Sequence, residues 1–436
     1  MTPLGAMLVM AAVSVSAATA SAPRPLSLGE AVALAQRNAP ELIQAEGQKR
    51  AGDAQVRAAL AAFLPSVSLS AGAARQVPSA GGRTRIENGQ IITLPAEPWS
   101  FNLGLGTSLQ LFDGGRRFFD LRLAQARASA AEVNEVSSRY AVTLAVKQQF
   151  FDVLAARESE AAARAQLEQA EYQLRSSIAR LRSKTATRSD SLRSEIQRRN
   201  ARLALIEARN ALELANASLT RAVGSDDPIT AAAADSLAPA GLALDDESIR
   251  QLAAEGPAVR QGRMALDAAR AARRGVWTDF LPAVAASYSR SGNAPGASFA
   301  LGSSDYSYSG ALRLSLSFPL FNQFQREAEL TQAQVAEQNA AAAVRDTRLA
   351  ALEGATQWLG AFHSAEERVG SQAATVAAAE EDLRVQQQRY AVGASTLLDL
   401  LTSQTQLDEG RRDLIRARYD VRVAKAQLEA LVGRDL

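Results

Sequence analysis

The chain has 436 residues, and its 48 Lys and Arg against 46 Asp and Glu leave a net charge of only +2, which gives no argument for nucleic acid or for acidic substrates. Cysteine is absent, excluding disulfides, thiolate metal sites and cysteine-borne lipids, and the single histidine, His363, reads as a packing or surface residue of a helix rather than a metal ligand. Aromatic residues are 5% of the chain, and no Gly or Pro occurs from Arg116 to Val223, where helix-forming residues dominate.

Residues 1–20 form an apolar run ending in the small-residue pattern Ala18-Thr19-Ala20. They read as an export signal, although a positively charged start is missing, so the mature chain begins near Ser21. No other stretch approaches the ~18 apolar residues of a spanning helix, so any membrane-embedded part must be built of strands. Ser27 and Glu30 have the spacing of a capping box, and helical periodicity then runs through Phe63 until Pro65 stops it. From there the period becomes two: Val67, Leu69 and Ala71 alternate with Ser66, Ser68, Ser70 and Gly72. A Gly-, Pro- and Arg-rich segment from Arg75 to Pro98 follows. Phe101, Leu103, Leu105, Leu109 and Leu111 then alternate with Asn102, Gly104, Gly106, Ser108 and Gln110.

The pattern repeats. Asn38-Ala39-Pro40 and Phe63-Leu64-Pro65 return 217 residues later as Glu255-Gly256-Pro257 and Phe280-Leu281-Pro282. Beyond Phe112 the offset is 209, so that Phe112 falls on Phe321, Asp190 on Asp399 and Gly224 on Gly433. The copies therefore differ mainly by a loop-sized deletion between the two landmarks. In the second copy a strand is expected at about 282–292, and Leu312, Leu314, Leu316 and Phe318 mark another. One apolar and one small or polar face suit a tilted transmembrane β-strand, and equally a soluble antiparallel sheet with a solvated face; the export signal favours the membrane. Four strands cannot close a barrel, and an open edge in lipid leaves backbone groups unpaired, so several chains must share one. Geometry alone allows a dimer with eight strands or a trimer with twelve.

Long helices complete each copy. Tyr140, Leu144, Lys147, Phe151 and Leu154 step in heptad fashion, as do Leu407, Gly410, Leu414, Ala417, Val421, Ala424, Leu428 and Leu431. The spacing predicts helical hairpins at about 115–183 with 190–223 and about 323–391 with 396–432, turning at Ser183–Ser189 and Ala391–Ser395. At 1.5 Å per residue these make an elongated molecule. The organisation is thus a signal peptide at 1–20, a first repeat at 21–224, an Ala-, Asp- and Pro-rich linker or lateral elaboration at 225–245, and a second repeat at 246–436. The class is mainly α with membrane β: a duplicated helix–strand–strand–long hairpin unit.

This order resembles the TolC-like outer-membrane efflux protein family. The residues that carry the likeness are Leu26-Ser27-Leu28-Gly29-Glu30 with Asn38-Ala39-Pro40, both Phe-Leu-Pro junctions, the strand-to-helix returns Leu111-Phe112-Asp113-Gly114-Gly115 and Pro319-Leu320-Phe321-Asn322, and Arg389-Tyr390-Ala391-Val392-Gly393 with Leu398-Asp399-Leu400-Leu401. The resemblance spans Leu26 to Leu436. It implies a homotrimer with a shared 12-stranded β-barrel in outer-membrane lipid and a 12-helix periplasmic α-barrel. It also implies a periplasmic adaptor protein and an inner-membrane transporter as partners, with loops near Gly81-Gly82 and Asn293 to Gly296 facing outside. The resemblance leaves open whether the cargo is small molecules or, as in type I secretion systems, protein. It implies no cofactor, metal or catalytic activity, and the chain shows no nucleophile–base arrangement.

The hairpin turns would then form the periplasmic gate and the docking site. Asp399 matches an aspartate of the constriction, and Thr402 stands where the family often has a second acid. Tyr390 and Asp190 match residues that hold the turns together between hairpins. Lys184, Thr185 and Ala186 in the first turn, and Gly393, Ala394 and Ser395 in the second, would meet the adaptor, with Lys184 replacing the family glycine. The residues themselves also allow a plainer role: Thr187 with Asp190, and Thr396 with Asp399, have capping-box spacing.

Overall fold

A computed structural model of the chain describes residues 23–77, 84–87, 89–93, 98–232, 241–296, 299 and 306–436. The export signal, the loop at Gly81-Gly82 and residues 233–240 of the inter-repeat segment lie outside them. In chain order the elements are β1 (Arg24–Leu26), α1 (Leu28–Asn38), α2 (Pro40–Ala61), β2 (Ser66–Arg75), β3 (Thr84–Glu87), β4 (Gln90–Thr93), β5 (Trp99–Phe112), α3 (Arg116–Arg182), α4 (Arg188–Val223), β6 (Ile229–Ala231), α5 (Asp246–Ala253), α6 (Pro257–Val276), a 3-10 turn (Trp277–Phe280), β7 (Ala283–Gly296), β8 (Ser307–Ser317), α7 (Gln325–Ala391) and α8 (Leu397–Val432). The chain divides into two compact units, each drawing on both repeats.

The sheet unit comprises Gln44–Ser137 and Ala254–Leu352. Its four main strands run in the order β2-β5-β7-β8, antiparallel throughout. The register puts Leu69 opposite Leu105, Thr107 opposite Tyr288 and Ala286 opposite Leu314. One face therefore gathers Val67, Leu69, Leu103, Leu105, Val284, Leu312, Leu314 and Leu316, while the other carries Ser66, Ser68, Ser70, Ser108, Ser287, Ser289 and Ser315. Leu312, Leu314 and Leu316 are 70–80% exposed, so among the described residues nothing covers this apolar edge of the sheet. Aromatic residues collect at one end: Trp99 and Phe101 pack on Phe299, Arg75 lies over Trp99 and Arg290 over Tyr308.

Two features of the sheet depart from expectation. Asn293 to Gly296 is not loop but the end of β7, opposite Asn102 to Trp99. Among the described residues β7 pairs with β8 only as far as Asn293, so Pro295 lies beyond that ladder. The Gly-, Pro- and Arg-rich segment after Arg75 holds the β3–β4 hairpin, with Gly89 between the strands at φ +83.

Both strand-to-helix returns use two successive left-handed residues: Gly114 and Gly115 in the first copy, Gln323 and Phe324 in the second. Asp113 caps the first return, accepting from the Gly115 and Arg117 N–H groups and from the Arg117 side chain. Arg117 lies over Phe63, and its repeat counterpart Arg326 lies over Phe280, so each Phe-Leu-Pro junction is held by the helix that follows its strands.

The hairpin unit comprises Met1–Ile43, Ser138–Ala253 and Glu353–Leu436. Helical periodicity from Ser27 is interrupted at Ala39, which is extended (ψ 125) because Pro40 crowds the helical conformation of its predecessor. Parallel β1 and β6, absent from the sequence reading, pair Arg24–Leu26 with Ile229–Ala231. One core joins Ala31 and Ala35 to Val146, Phe150, Val153, Leu219, Val223 and Ile229; a second joins Ile249 and Ala253 to Ala355, Leu359, Phe362 and Leu428. A fully buried Leu or Phe of this kind stabilises by about 1.5–3 kcal/mol.

The C-terminal heptad row is buried from Leu407 through Leu428, and Gly410 lets Val376 of α7 approach to 3.4 Å of where a Cβ would stand. In α3 Phe151 and Leu154 of the expected row are buried, Tyr140 and Leu144 are half-buried, and Val142, Val146, Phe150 and Val153 are buried beside them. Lys147 of the predicted seam instead pairs with Glu429 at 2.5 Å. Tyr419 donates to Glu158 at 2.7 Å, which with burial pushes the phenol well above its ordinary range.

Candidate functional site at the hairpin turns

Both turns are built alike. In the first, Lys184 N–H donates to Leu181 and Thr185 N–H to Arg180; in the second, Gly393 N–H donates to Tyr390 and Ala394 N–H to Arg389. This is the Schellman ending of a helix, which needs one residue in the left-handed region. Gly393 supplies it at φ +81, and Lys184 adopts it at φ +63 despite its Cβ. Ser183 and Thr185 share a side-chain hydrogen bond that closes the first turn. Ala186, Ala394 and Ser395 line the turns, with Ala394 exposed.

The helices that leave the turns begin with capping boxes. Thr187 Oγ1 accepts from Asp190 N–H, while the Asp190 carboxylate accepts from Thr187 N–H at 2.9 Å. Thr396 and Asp399 do the same at 2.9 and 3.2 Å. The Thr396 backbone N–H, then its hydroxyl, and more weakly Arg389, hold the Asp399 carboxyl below the usual carboxylate range. Asp399 is exposed, and Thr402, one helical turn on, is exposed too and donates back to Leu398 O at 2.9 Å. These two line one side of the second turn.

At the turns, a contact between hairpins is made by a residue that sequence reading passed over. Arg180, in the last turn of α3, donates through Nη1 to Tyr390 O at 2.9 Å and through Nη2 to Ala391 O at 2.8 Å, with its guanidinium 4.4 Å over the Tyr390 ring. Tyr390 thus takes part in joining the hairpins, while the Asp190 carboxylate is spent on its own helix. The available signal was the 209-residue offset, which aligns Arg180 with Arg389 of the Arg389-Tyr390 pair. Farther along α4, the Glu195 carboxylate is lowered to about 2 by hydrogen bonds from Arg198 and Arg199.

Residues 31–225 and 248–434 match the sequence profile of the outer membrane efflux protein family. The chain belongs to this family. Protein CyaE of Bordetella pertussis is 31% identical over 340 residues, covering 74% of this chain; the match spans 66% of that relative's length. Among solved structures, a membrane protein from Pseudomonas aeruginosa superposes with a TM-score of 0.78 at 20% identity, covering 95% of this chain and 91% of its own. The outer membrane protein VceC of Vibrio cholerae superposes with a TM-score of 0.75 at 18% identity, covering 94% and 96%. As an outer membrane efflux protein the chain is a transport component of the bacterial outer membrane.

Proposed function

We propose that the chain is a passive export conduit: a homotrimer whose twelve strands close one barrel in the outer membrane and whose hairpins continue as a twelve-helix tunnel in the periplasm. Small molecules (drugs, toxic compounds or metals) would enter from an inner-membrane pump through a periplasmic adaptor docked at Lys184, Thr185, Ala186, Gly393, Ala394 and Ser395. Asp399, Tyr390, Asp190 and Thr402 would form the periplasmic constriction.

The observation that carries this reading is the four-stranded sheet: apolar on one face, serine-rich on the other, and unpaired at both outer edges among the described residues. In hydrocarbon every unpaired backbone group costs several kcal/mol, so such a sheet is stable only when closed by other chains. Twelve strands suit the family fold, and its members include channels.

Co-purification from cross-linked membranes tests the partners. Recovery of an adaptor and a small-molecule pump supports the proposal. Recovery of a protein-export transporter instead would make the chain the outer-membrane component of a type I protein secretion system.

A further inference from the structure

The four main strands hold three arginines and neither aspartate nor glutamate. Two of the three sit at the aromatic end of the apolar face, Arg75 over Trp99 and Arg290 over Tyr308. Arg313 belongs to the other face. It stands opposite Ser287 across β7 and β8, and Ser287 in turn faces Ser108 of β5, so the charge lies within the serine row. The other strand residues of that face are Ser, Gly, Ala, Pro, Asn or Gln, which makes Arg313 its one charged residue. The side chain is exposed, and among the described residues its guanidinium has no ion pair, hydrogen bond or ring contact.

The repeat shows that the strand pair does not require this charge. At the offset of 209 that sets Leu103 on Leu312, Leu105 on Leu314 and Ser108 on Ser317, Gly104 falls on Arg313. One copy thus has no side chain where the other has a guanidinium. Further copies of the chain cannot neutralise it through their strands, since those strands are equally free of acids. Asp113 and Asp279, at the strand-to-helix junctions, are already paired with Arg117 and Arg116.

We infer that Arg313 is an anion contact on the inner wall of the conduit, one per chain, for the carboxylate, phosphate or sulfonate groups of passing solutes. The inference rests on the shared-barrel reading, in which lipid takes the apolar face and the serine face lines water. A guanidinium stays charged at any working pH and offers a planar fork that meets an oxyanion through two bonds. Short serine, glycine and alanine side chains around it leave that fork open to the lumen. Symmetry repeats the charge at one level, about 13 Å along the strand from Ser317, and low-dielectric walls focus the field inward.

The natural absence of cysteine lets a single thiol report that field. Ser287→Cys places one directly opposite Arg313, with Cβ atoms about 4.5–5.5 Å apart. The full chain in its own membrane is treated at low salt with two thiosulfonate reagents of similar size, one carrying a sulfonate and the other a quaternary ammonium. Any influence of Arg313 on ionisation of the thiol enters both rates and cancels in their ratio. The sulfonate-to-ammonium ratio is expected to fall several-fold when Arg313→Ser is added and to be kept by Arg313→Lys. Arg290→Ser, which removes the same charge from the apolar face, should leave it unchanged. In 1 M salt, where the screening length is about 3 Å, the difference should close.

A reactive thiol whose ratio ignores Arg313→Ser would overturn the inference and leave the conduit standing. An equal fall in Arg290→Ser would also overturn it, because net charge rather than position would then be acting. A Ser287→Cys thiol that neither reagent reaches, or a Leu314→Cys thiol just as reactive, would instead defeat the shared-barrel reading, since the serine face would not be the wet one.

Discussion

Arg180 caps the C-terminal end of α7 from another helix: its two terminal nitrogens reach the carbonyl oxygens of Tyr390 and Ala391 at 2.9 and 2.8 Å while its plane covers the Tyr390 ring. The last carbonyls of a helix lack intrahelical donors and carry the negative end of its dipole, so a guanidinium is well matched to them. A planar fork also satisfies two acceptors at once, which an ammonium cannot do. The counterpart, Arg389, reaches Ala394 O of its own turn, at 3.4 Å. Arg180→Ala is expected to cost about 1.5–3 kcal/mol of local stability, the range for hydrogen bonds to a charged group. Amide exchange at Val392–Ala394 should accelerate, with Arg180→Lys between the two. If the turns form the constriction, single-channel conductance should rise in the same order. Unchanged exchange in Arg180→Ala would show that the clamp does not hold the second turn.

Lys184 bears a strain that Gly393 avoids. A side chain in the left-handed region costs roughly 1–2 kcal/mol, and glycine there is free of it. Lys184→Gly should therefore stabilise the first hairpin and Gly393→Lys destabilise the second by similar amounts. No atom lies within 4 Å of where a Gly393 Cβ would stand, so backbone conformation alone is tested. Thermal melting of the two variants, measured side by side, should move in opposite directions.

The capping role of Asp399 has a defined pH dependence. Its carboxyl is held below the usual aspartate range in the folded chain, first because Thr396 N–H favours the ionised form. A depressed folded value means that the stabilisation is complete above the ordinary aspartate value and is lost as pH falls through the lower folded one. Amides of Leu397–Leu400 should stay protected above the ordinary aspartate range and lose protection only once the pH falls below it. In Asp399→Asn this acid-dependent step should vanish. Where three copies bring Asp399 around one axis, Asp399→Ala should also abolish block of the channel by divalent cations; unaltered block would remove Asp399 from the constriction.

Much of this architecture is legible in the chain because each element is over-specified. The run free of Gly and Pro leaves only helix between Arg116 and Val223, and the serine–leucine alternation leaves only strand around Ser68 and Leu314. Capping boxes at Ser27, Thr187 and Thr396 mark helix starts within a residue or two. Features set by distant partners were hidden. Three-residue β1 and β6 carry no periodicity of their own and exist by pairing with each other. Lys184 gives no hint of left-handed backbone except by alignment with Gly393. Arg180 looks like any arginine of a solvated helix until α7 is placed beside it. In α3 burial is wider than the heptad row, because one core with α1 and α4 takes in Val142, Val146, Phe150 and Val153 as well as Phe151 and Leu154.

Gly114 shows how tightly one return is packed. Its φ of +67 already disfavours a side chain, and an added Cβ would stand 2.9 Å from both Thr278 O and Leu281 Cβ. Gly115, at φ +89, has only Phe119 at 3.9 Å. Gly114→Ala should lower the melting temperature more than Gly115→Ala, since it adds a clash with backbone to the conformational cost. Equal effects would mean that conformation alone sets the requirement.

The central claim is that several copies of an amphipathic four-stranded sheet close a single pore. Native mass measurement of the particle extracted from outer membranes in detergent tests it most directly. Three chains per particle is the predicted result. A particle of one chain would contradict it, because four strands with two open edges cannot close in lipid.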